Sequence, residues 1–294
     1  VLRFGAVTAR TEARASFRSS SVRPGPLDLL REAAQDVVSR RRLIMYLVQA
    51  DLKKTGSDTL LGNIWWVVDP LLQMLVYAIF MGVILQKGKA DFPLFIFCAV
   101  LPWKWFTSAV NDGIASVVSR EKLIKQIYFP KLVLPTAGVM AGVVNFAFGL
   151  IPMLGLLFVV YPYRATAWVL LIPVIAAVQL LFTWGTATLL ATVNVFYRDV
   201  SNLSRHLLRM WFYLSPVLWN ADDIQHIAGK QEWVGTLIVL NPFYQLLASY
   251  RNVVYEGHAP HWTGLIALTL FSLVLVIVAV LFFKRAEPSF AKVL

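Results

Sequence analysis

Ser119-Arg-Glu-Lys-Leu-Ile-Lys-Gln-Ile-Tyr-Phe-Pro130 is a short basic segment set between two long apolar runs, residues 92–110 and 132–160. Crossing a hydrocarbon core about 30 Å thick takes ~20 helical residues, which both runs supply. Lipid offers the backbone no hydrogen-bond partner, so the crossings are helices and the basic segment is the turn between them. Three more runs of this kind lie at 64–85, 167–196 and 262–283. A sixth, 203–219, is short and interrupted by Ser215-Pro216, and a half-length piece at 233–250 is broken by Asn241-Pro242. Composition agrees: 58% of the 294 residues are apolar or aromatic, 15% are charged, and mean hydropathy is +0.66. Soluble domains carry about 25% charged residues. A single cysteine, Cys98, excludes a disulfide framework and any multi-cysteine metal site.

The net charge of +11 is explained by its distribution. Segments 1–63, 117–131, 197–210 and 284–294 hold 21 of the 27 Lys and Arg residues. The others are Lys87, Lys89, Lys104, Arg164, Lys230 and Arg251. The positive-inside rule makes the rich segments cytoplasmic, with both termini inside. It also makes 203–219 the fifth crossing and 233–250 an outer-face element that does not cross. The expected fold is an all-α membrane protein of six transmembrane helices, with an N-terminal amphipathic interface helix and outer-face re-entrant gate helices. Orientation accounts for the charge, so no nucleic-acid partner is needed.

Residues 1–26 are Arg- and Ser-rich, carry one acid, Glu12, and end in Pro24-Gly-Pro26. They contain no apolar core of signal-peptide length and read as a disordered cytoplasmic tail; an organellar transit peptide shares this composition. From Leu27 the pattern changes: Leu30, Ala33, Ala34, Val37, Val38, Ile44, Leu47, Val48 and Leu52 approximate a helical stripe. Residues 27–63 are therefore expected to form an amphipathic interfacial helix, its Arg40-Arg41-Arg42 cluster near anionic headgroups. Packing on a soluble partner is the alternative. Residues 64–294 form the transmembrane domain, including the loop 117–131 and the outer region 220–250.

Several chemistries lack their residues. No G-x-x-x-x-G-K-[ST] phosphate loop and no H-E-x-x-H occurs. His258-x-x-His261 and Asp222-Asp223 are the only metal-like groupings, without further ligands nearby in sequence, and no metal is expected. The acids are too scattered to provide the paired carboxylates of a glycosidase. Three features need explaining. Asp69, after Trp65-Trp66, and Lys104, between Trp103 and Trp105, are charges inside apolar runs; such groups usually face a protein interior or a watery path. They read either as the lining of a polar conduit whose Trp rings meet sugar C–H groups, or as an interfacial aromatic belt with a snorkelling lysine. Gly138-x-x-x-Gly142, with Gly149 and Asn145, allows close helix approach. The loop 119–130 reads as a brief amphipathic helix suited to docking a cytoplasmic partner.

Ordered along the chain, Asp51-Leu-Lys53, Leu61-Gly62, Trp65, Pro70-Leu71, Leu101-Pro-Trp103, Lys122-Leu-Ile-Lys125, Tyr128-Phe-Pro-Lys131, Leu134-Pro135, Asn194-Val-Phe-Tyr-Arg-Asp199, Ser215-Pro216, Leu240-Asn-Pro242, Tyr250-Arg251 and Arg285-Ala-Glu287 form a family pattern. From about residue 43 onward the chain resembles the membrane subunits of ABC-2 type polysaccharide exporters, the group of O-antigen and teichoic-acid export permeases. More narrowly it is similar to the galactan-precursor exporter permeases of mycobacteria and their relatives. It departs from the pattern at Gln49-Ala50 and Thr55-Gly56-Ser57, where relatives carry more Arg and Tyr.

The resemblance implies a homodimer in the bacterial cytoplasmic membrane, docked to two copies of a nucleotide-binding ATPase. This chain would bind no cofactor; ATP and Mg would sit on the partner. It also implies a coupling helix at Arg120, Glu121, Lys122, Leu123, Lys125, Tyr128 and Phe129, with Arg198-Asp199 close by. Asp69, Trp103, Lys104, Trp105, Phe106, Trp211 and Tyr213 become the expected substrate path. Ser215, Pro216, Asp222, Asp223, Asn241 and Pro242 become the outer gate. The expected cargo is a lipid-linked polysaccharide, moved among membrane lipids. Two other classes stay open: a polyprenyl-phosphate glycan-processing enzyme built on Asp222, Asp223 and His226, and a passive channel or scaffold.

Overall fold

The computed structural model describes residues 24–56, 62–84, 91–218, 238 and 240–294, and all regular structure among them is helical. The helices are α1 (Pro26–Ser39), α2 (Arg41–Gly56), α3 (Trp65–Ala78), α4 (Phe92–Ser116), α5 (Glu121–Gln126), α6 (Val133–Gly155), α7 (Ile172–Phe196), α8 (Val200–Leu214), α9 (Pro242–Arg251) and α10 (Trp262–Val293). Short π-helical turns prolong α3, α6 and α9 over Ile79–Ile84, Leu156–Val160 and Asn252–Glu256. The 1–26 tail falls almost wholly outside the described residues, as do Asp222, Asp223 and most of 220–250.

Five segments are long and apolar enough to cross a membrane: Trp65–Gly82, Phe92–Ser116, Val133–Val160, Ala167–Phe196 and Trp262–Val293. They coincide with the five long runs of the sequence. The expected crossing at 203–219 takes a different form. Its helix begins earlier, at Val200, and ends at Leu214. Fifteen residues rise only ~22 Å, short of a ~30 Å core. Ser215 leaves the helix with φ −99° and ψ 150° because the ring of Pro216 disfavours helical backbone before it.

The single interfacial helix expected over 27–63 is two helices. Arg40, at φ −98° and ψ 19°, breaks the chain between them. α1 buries Leu29 and Ala33 and leans on the end of α10, while α2 buries Ile44, Leu47 and Val48 against α6. Gly62, at φ +52°, then supports the turn into α3, a backbone state that glycine adopts without strain.

α4 is the hub, touched by α3, α6, α7, α8 and α9. Leu94, Ile96, Phe97, Ala99, Val100, Phe106, Ala109 and Val110 along it are fully buried. α6 approaches it through its glycines. A Cβ on Gly138 would lie 3.3 Å from the backbone of Asp112 and Gly113, and one on Gly142 would lie 2.8 Å from the Ala109 Cβ. The Gly138-x-x-x-Gly142 spacing thus serves contact within the bundle. α3 is the least covered crossing: Leu72, Leu75, Val76, Ile79 and Phe80 point outward.

Candidate functional site

A polar seam follows the side of the bundle where α2, α3, α4 and α6 meet. Its middle is a cleft of about 200 Å³ walled by Trp65, Trp66, Trp105 and Phe146, with Asp69, Lys104 and Asn145 on its lining. Lys104 Nζ is ion-paired to Asp69, across from α4 to α3. Trp105 stacks on Phe146 with centroids 4.5 Å apart, and its indole Nε1–H has no hydrogen-bond partner among the described residues. The same holds for Asn145 Oδ1. Asn145 also borders a cavity of about 560 Å³ that runs to Asp51, Lys54, Asp112 and Arg120. Asp69, Lys104 and Ser108 border a groove of about 550 Å³ containing Gln73, Tyr77 and Asn111. Buried polar atoms are normally satisfied, and unpaired ones beside a cavity mark places for water or ligand. Flat aromatic walls with isolated donors and acceptors are the surface that a sugar ring fits, apolar on its C–H face and polar at its rim.

Of the residues expected on the path, Asp69, Lys104 and Trp105 meet here. Trp103 and Phe106 lie elsewhere, buried in an aromatic cluster with Phe182, Trp211 and Phe243. Trp211 is half-buried in that cluster and its Nε1–H donates to Asn241 Oδ1 at 3.1 Å. Tyr213 is 64% exposed.

At the end of the bundle that carries loop 117–131, Arg120, Lys125 and Arg198 stand against acids. Arg120 Nη2 donates to both carboxylate oxygens of Asp51, at 2.6 and 2.7 Å, tying the loop to α2. Lys125 donates to Glu121 at 2.7 Å, and Arg198 stands 4.0 Å from the same carboxylate. Lys125 holds the Glu121 carboxyl below its usual range, with Arg198 and Lys122 adding to this. Ile124 and Phe129 are buried and anchor the segment, and Leu123 is half-buried on the same core. Lys122, Ile127, Tyr128, Arg198 and Asp199 face outward, with Tyr128 at 96% exposure. The segment therefore has a rooted side and a free side.

At the other end, Asn241 joins two helices. Its side-chain oxygen caps α9 by accepting from Phe243 N at 3.0 Å, and its amide donates to Ser215 Oγ at 2.9 Å and Leu214 O at 3.4 Å. Pro242 fills the first turn of α9, where a missing N–H costs nothing. Ser215 and Pro216 are buried beside this joint. Among the described residues no group of three or more His, Cys, Asp or Glu stands close enough to hold a metal ion.

The family described as ABC-2 type transporter matches residues 42–255. The chain belongs to the ABC-2 type transporter family. The O-antigen export system permease protein RfbA of Myxococcus xanthus is 33% identical over 258 residues, covering 88% of this chain and 97% of that protein. A Klebsiella pneumoniae protein of the same name is 27% identical over 252 residues, covering 86% and 95%. The polysialic acid transport protein KpsM of Escherichia coli is 20% identical over 239 residues, covering 78% and 87%.

In this ABC-2 transporter chain the family-like motifs mostly hold the bundle together, through partners that sequence reading missed. Gln179 donates to Pro102 O at 2.8 Å and accepts from Tyr250 OH at 3.0 Å, joining Leu101-Pro-Trp103 to Tyr250-Arg251. Asn194 donates to Ile114 O at 3.0 Å and accepts from Ser201 N at 3.1 Å, fixing the turn from α7 into α8. Glu287 accepts from Lys131 N at 2.6 Å and lies 3.3 Å from Lys284 Nζ. At the far end Arg164 Nε donates to Asp91 at 2.9 Å and Tyr255 OH to its other oxygen at 2.9 Å. Burial pushes the Asp91 carboxyl up, but the Tyr255 and Arg164 bonds outweigh it and the group sits below its usual range. A clue was available only in hindsight of pairing: each such residue is a polar group too deep in an apolar context to lack a partner.

Proposed function

We propose that this chain is the membrane subunit of an ATP-driven exporter that moves a lipid-linked polysaccharide, O-antigen- or galactan-like, outward across the bacterial cytoplasmic membrane. The observation that carries this reading is the seam: a charged pair, unpaired indole and amide groups and aromatic walls at membrane depth, open along one side of the protomer. Polar groups at that depth face a protein interior or a watery path rather than lipid. Two copies paired across their seams would enclose such a path. The relatives bear names of polysaccharide export and match nearly end to end, which favours export over glycan processing.

In this reading the chain crosses six times, the last part of the fifth crossing running on from α8, with α9 among the outer gate elements. α1 rests at the inner surface among membrane lipids. Two cytoplasmic ATPase subunits carry ATP and Mg and grip the free side of 120–129, with Arg198 and Asp199 at the rim. ATP closure moves that segment, and a ligand drives the change only through unequal affinity for the two states. The test is reconstitution of the chain with its co-purified ATPase and a screen of lipid-linked glycans. Stimulated hydrolysis by one glycan class is expected. A chain that never retains an ATPase after mild extraction, and whose preparation responds to no glycan, would overturn the reading.

A further inference from the structure

α8 has three faces. Ser204, Leu208 and Phe212, one turn apart, are buried. Leu203, Leu207, Met210 and Leu214 form an exposed apolar face, each more than half exposed. Asn202, Arg205, His206, Arg209 and Tyr213 recur at three- and four-residue steps and form an exposed cationic face. The helix contains no acid.

The depth of this face follows from its fixed points. Asn194 holds the base of α8 beside Ile114 of α4, through its bonds to Ile114 O and Ser201 N. Near its top Phe212 lies 5.7 Å from Trp103 of the same α4. Eleven residues of α4 separate these levels, about 17 Å, and Arg209 sits about 4.5 Å below Phe212. Its backbone is therefore about 12 Å above the base, beside the apolar span Phe92–Ser116 of α4, although the charge count groups all of 197–210 with the cytoplasmic segments. Arg205 spends donors on Asn202 Oδ1 and on Ser201 O at 3.3 Å. Arg209 and His206 make no hydrogen bond or ion pair among the described residues. α8 adjoins the seam through its buried face: Phe212, next to Tyr213 of the cationic face, stacks on Tyr77 at 5.5 Å, and Tyr77 borders the groove of Lys104 and Asn111.

An occupant must be anionic, must lie at membrane depth, and must be joined to an apolar chain that covers the neighbouring Leu203–Leu207–Met210 face. A protein acid meets the first condition only. We infer that the Arg205, His206 and Arg209 face of α8 recognises the phosphate or diphosphate that joins the exported glycan to an isoprenoid lipid. Guanidinium groups match phosphate oxygens in charge and in fork geometry. The two arginines grip the phosphate, the apolar face takes the lipid tail, and the glycan extends along the seam past Tyr77 toward Lys104 and Asp69. This inference rests on the export reading above and adds the group by which the cargo is held.

The test uses the full chain with its ATPase in nanodiscs of zwitterionic phosphatidylcholine, and tritiated geranylgeranyl diphosphate as the probe. Saturable binding is expected. R205Q/R209Q should weaken it at least ~tenfold, in line with the loss of charge-assisted bonds. R205K/R209K, which keeps the charge, should fall between, and Lys292→Gln at the exposed end of α10 should change nothing. Geranylgeraniol, which lacks the phosphate, should not compete, and phosphatidylglycerol should compete at least ~tenfold less well. No saturable binding to the wild-type chain would overturn the inference, as would equal binding by R205Q/R209Q of unchanged thermal stability. Equal competition by phosphatidylglycerol would also overturn it, by making the face a general anionic-lipid contact. If R205Q/R209Q fails to fold, R209Q alone replaces it with the same criteria. Binding is read without transport, so binding without export would count against the export reading alone.

Discussion

Lys104 sits in the middle of an apolar helix because Asp69 reaches it from the next one. The two side chains remain 28% and 61% exposed in the isolated protomer, so their pairing stabilises the fold little, by up to about 1 kcal/mol. Their value lies in the seam. Lys104→Ala strands the Asp69 charge in the cleft and is expected to cut export at least ~tenfold, with membrane insertion and melting temperature close to wild type. The reciprocal swap D69K/K104D should restore most of the loss. Export normalised to membrane-inserted protein checks both; equal loss of insertion would return Lys104 to a snorkelling role. The sequence displayed both charges, but not that they meet, since 35 residues separate them. It also could not place Trp103 and Trp105 on opposite sides of α4. The polar stripe Lys104, Thr107, Ser108, Asn111 and Asp112 marks one side of that helix, but Trp103 and Trp105 flank Lys104 to either side of it, so the pattern does not say which ring turns to the cleft.

At the scale of the element, α8 and α9 depend on one asparagine. Asn241 caps α9, accepts from Trp211 and donates to Ser215. Loss of such a cap costs about 1–2 kcal/mol. Asn241→Ala should lower thermal stability by that amount and raise hydrogen exchange at 211–218, while Asn241→Asp, which keeps the accepting oxygen, should lose less. Pro216 and Pro242 made these helix ends legible, because proline's local geometry needs no tertiary context. The break at Arg40 had no such marker, and one amphipathic stripe across 27–52 read as one helix. α5 supports a second test. The triple reversal E121K/K122E/K125E keeps an opposite-charge pair at 121 and 125, so the short helix survives while its outward charge inverts. We expect ATP hydrolysis to continue and export to fall at least ~tenfold, because an opposing charge pattern at a docked face costs several kcal/mol. Wild-type coupling would show that the segment is only solvated.

Across the whole molecule the basic end is one connected frame. Lys284, with its side chain 4% exposed, meets Glu32 at 3.1 Å, Glu287 at 3.3 Å and also Asp36, fastening α1 to α10. Glu287 continues the link to Lys131, and Arg120 carries it through Asp51 to α2. In the proposed coupling, a displacement of the 120–129 segment would pull on α2 through Arg120–Asp51 and on α10 through Lys131–Glu287. Removing Lys284 leaves Asp36 and Glu287, 19% and 12% exposed, without their cation, while Glu32 at 51% keeps its water, so the loss falls below the ~3–5 kcal/mol of a fully buried pair. Lys284→Ala should therefore release α1, visible as faster proteolysis between residues 24 and 40 at unchanged cleavage elsewhere. The five long crossings and the basic end were readable from run length and charge alone. The interlock was not, because its partners lie up to 252 residues apart and each looks like an ordinary surface charge.

Tyr128, 96% exposed at the tip of the basic end, allows the most direct check on the arrangement. A cysteine placed there is the reactive thiol of the chain, since native Cys98 is buried. Tyr128→Cys should be labelled by a membrane-impermeant maleimide only after cells are permeabilised, and protected again when the ATPase is bound. Labelling on intact cells would put the coupling segment outside and remove the basis for an exporter driven from the cytoplasm.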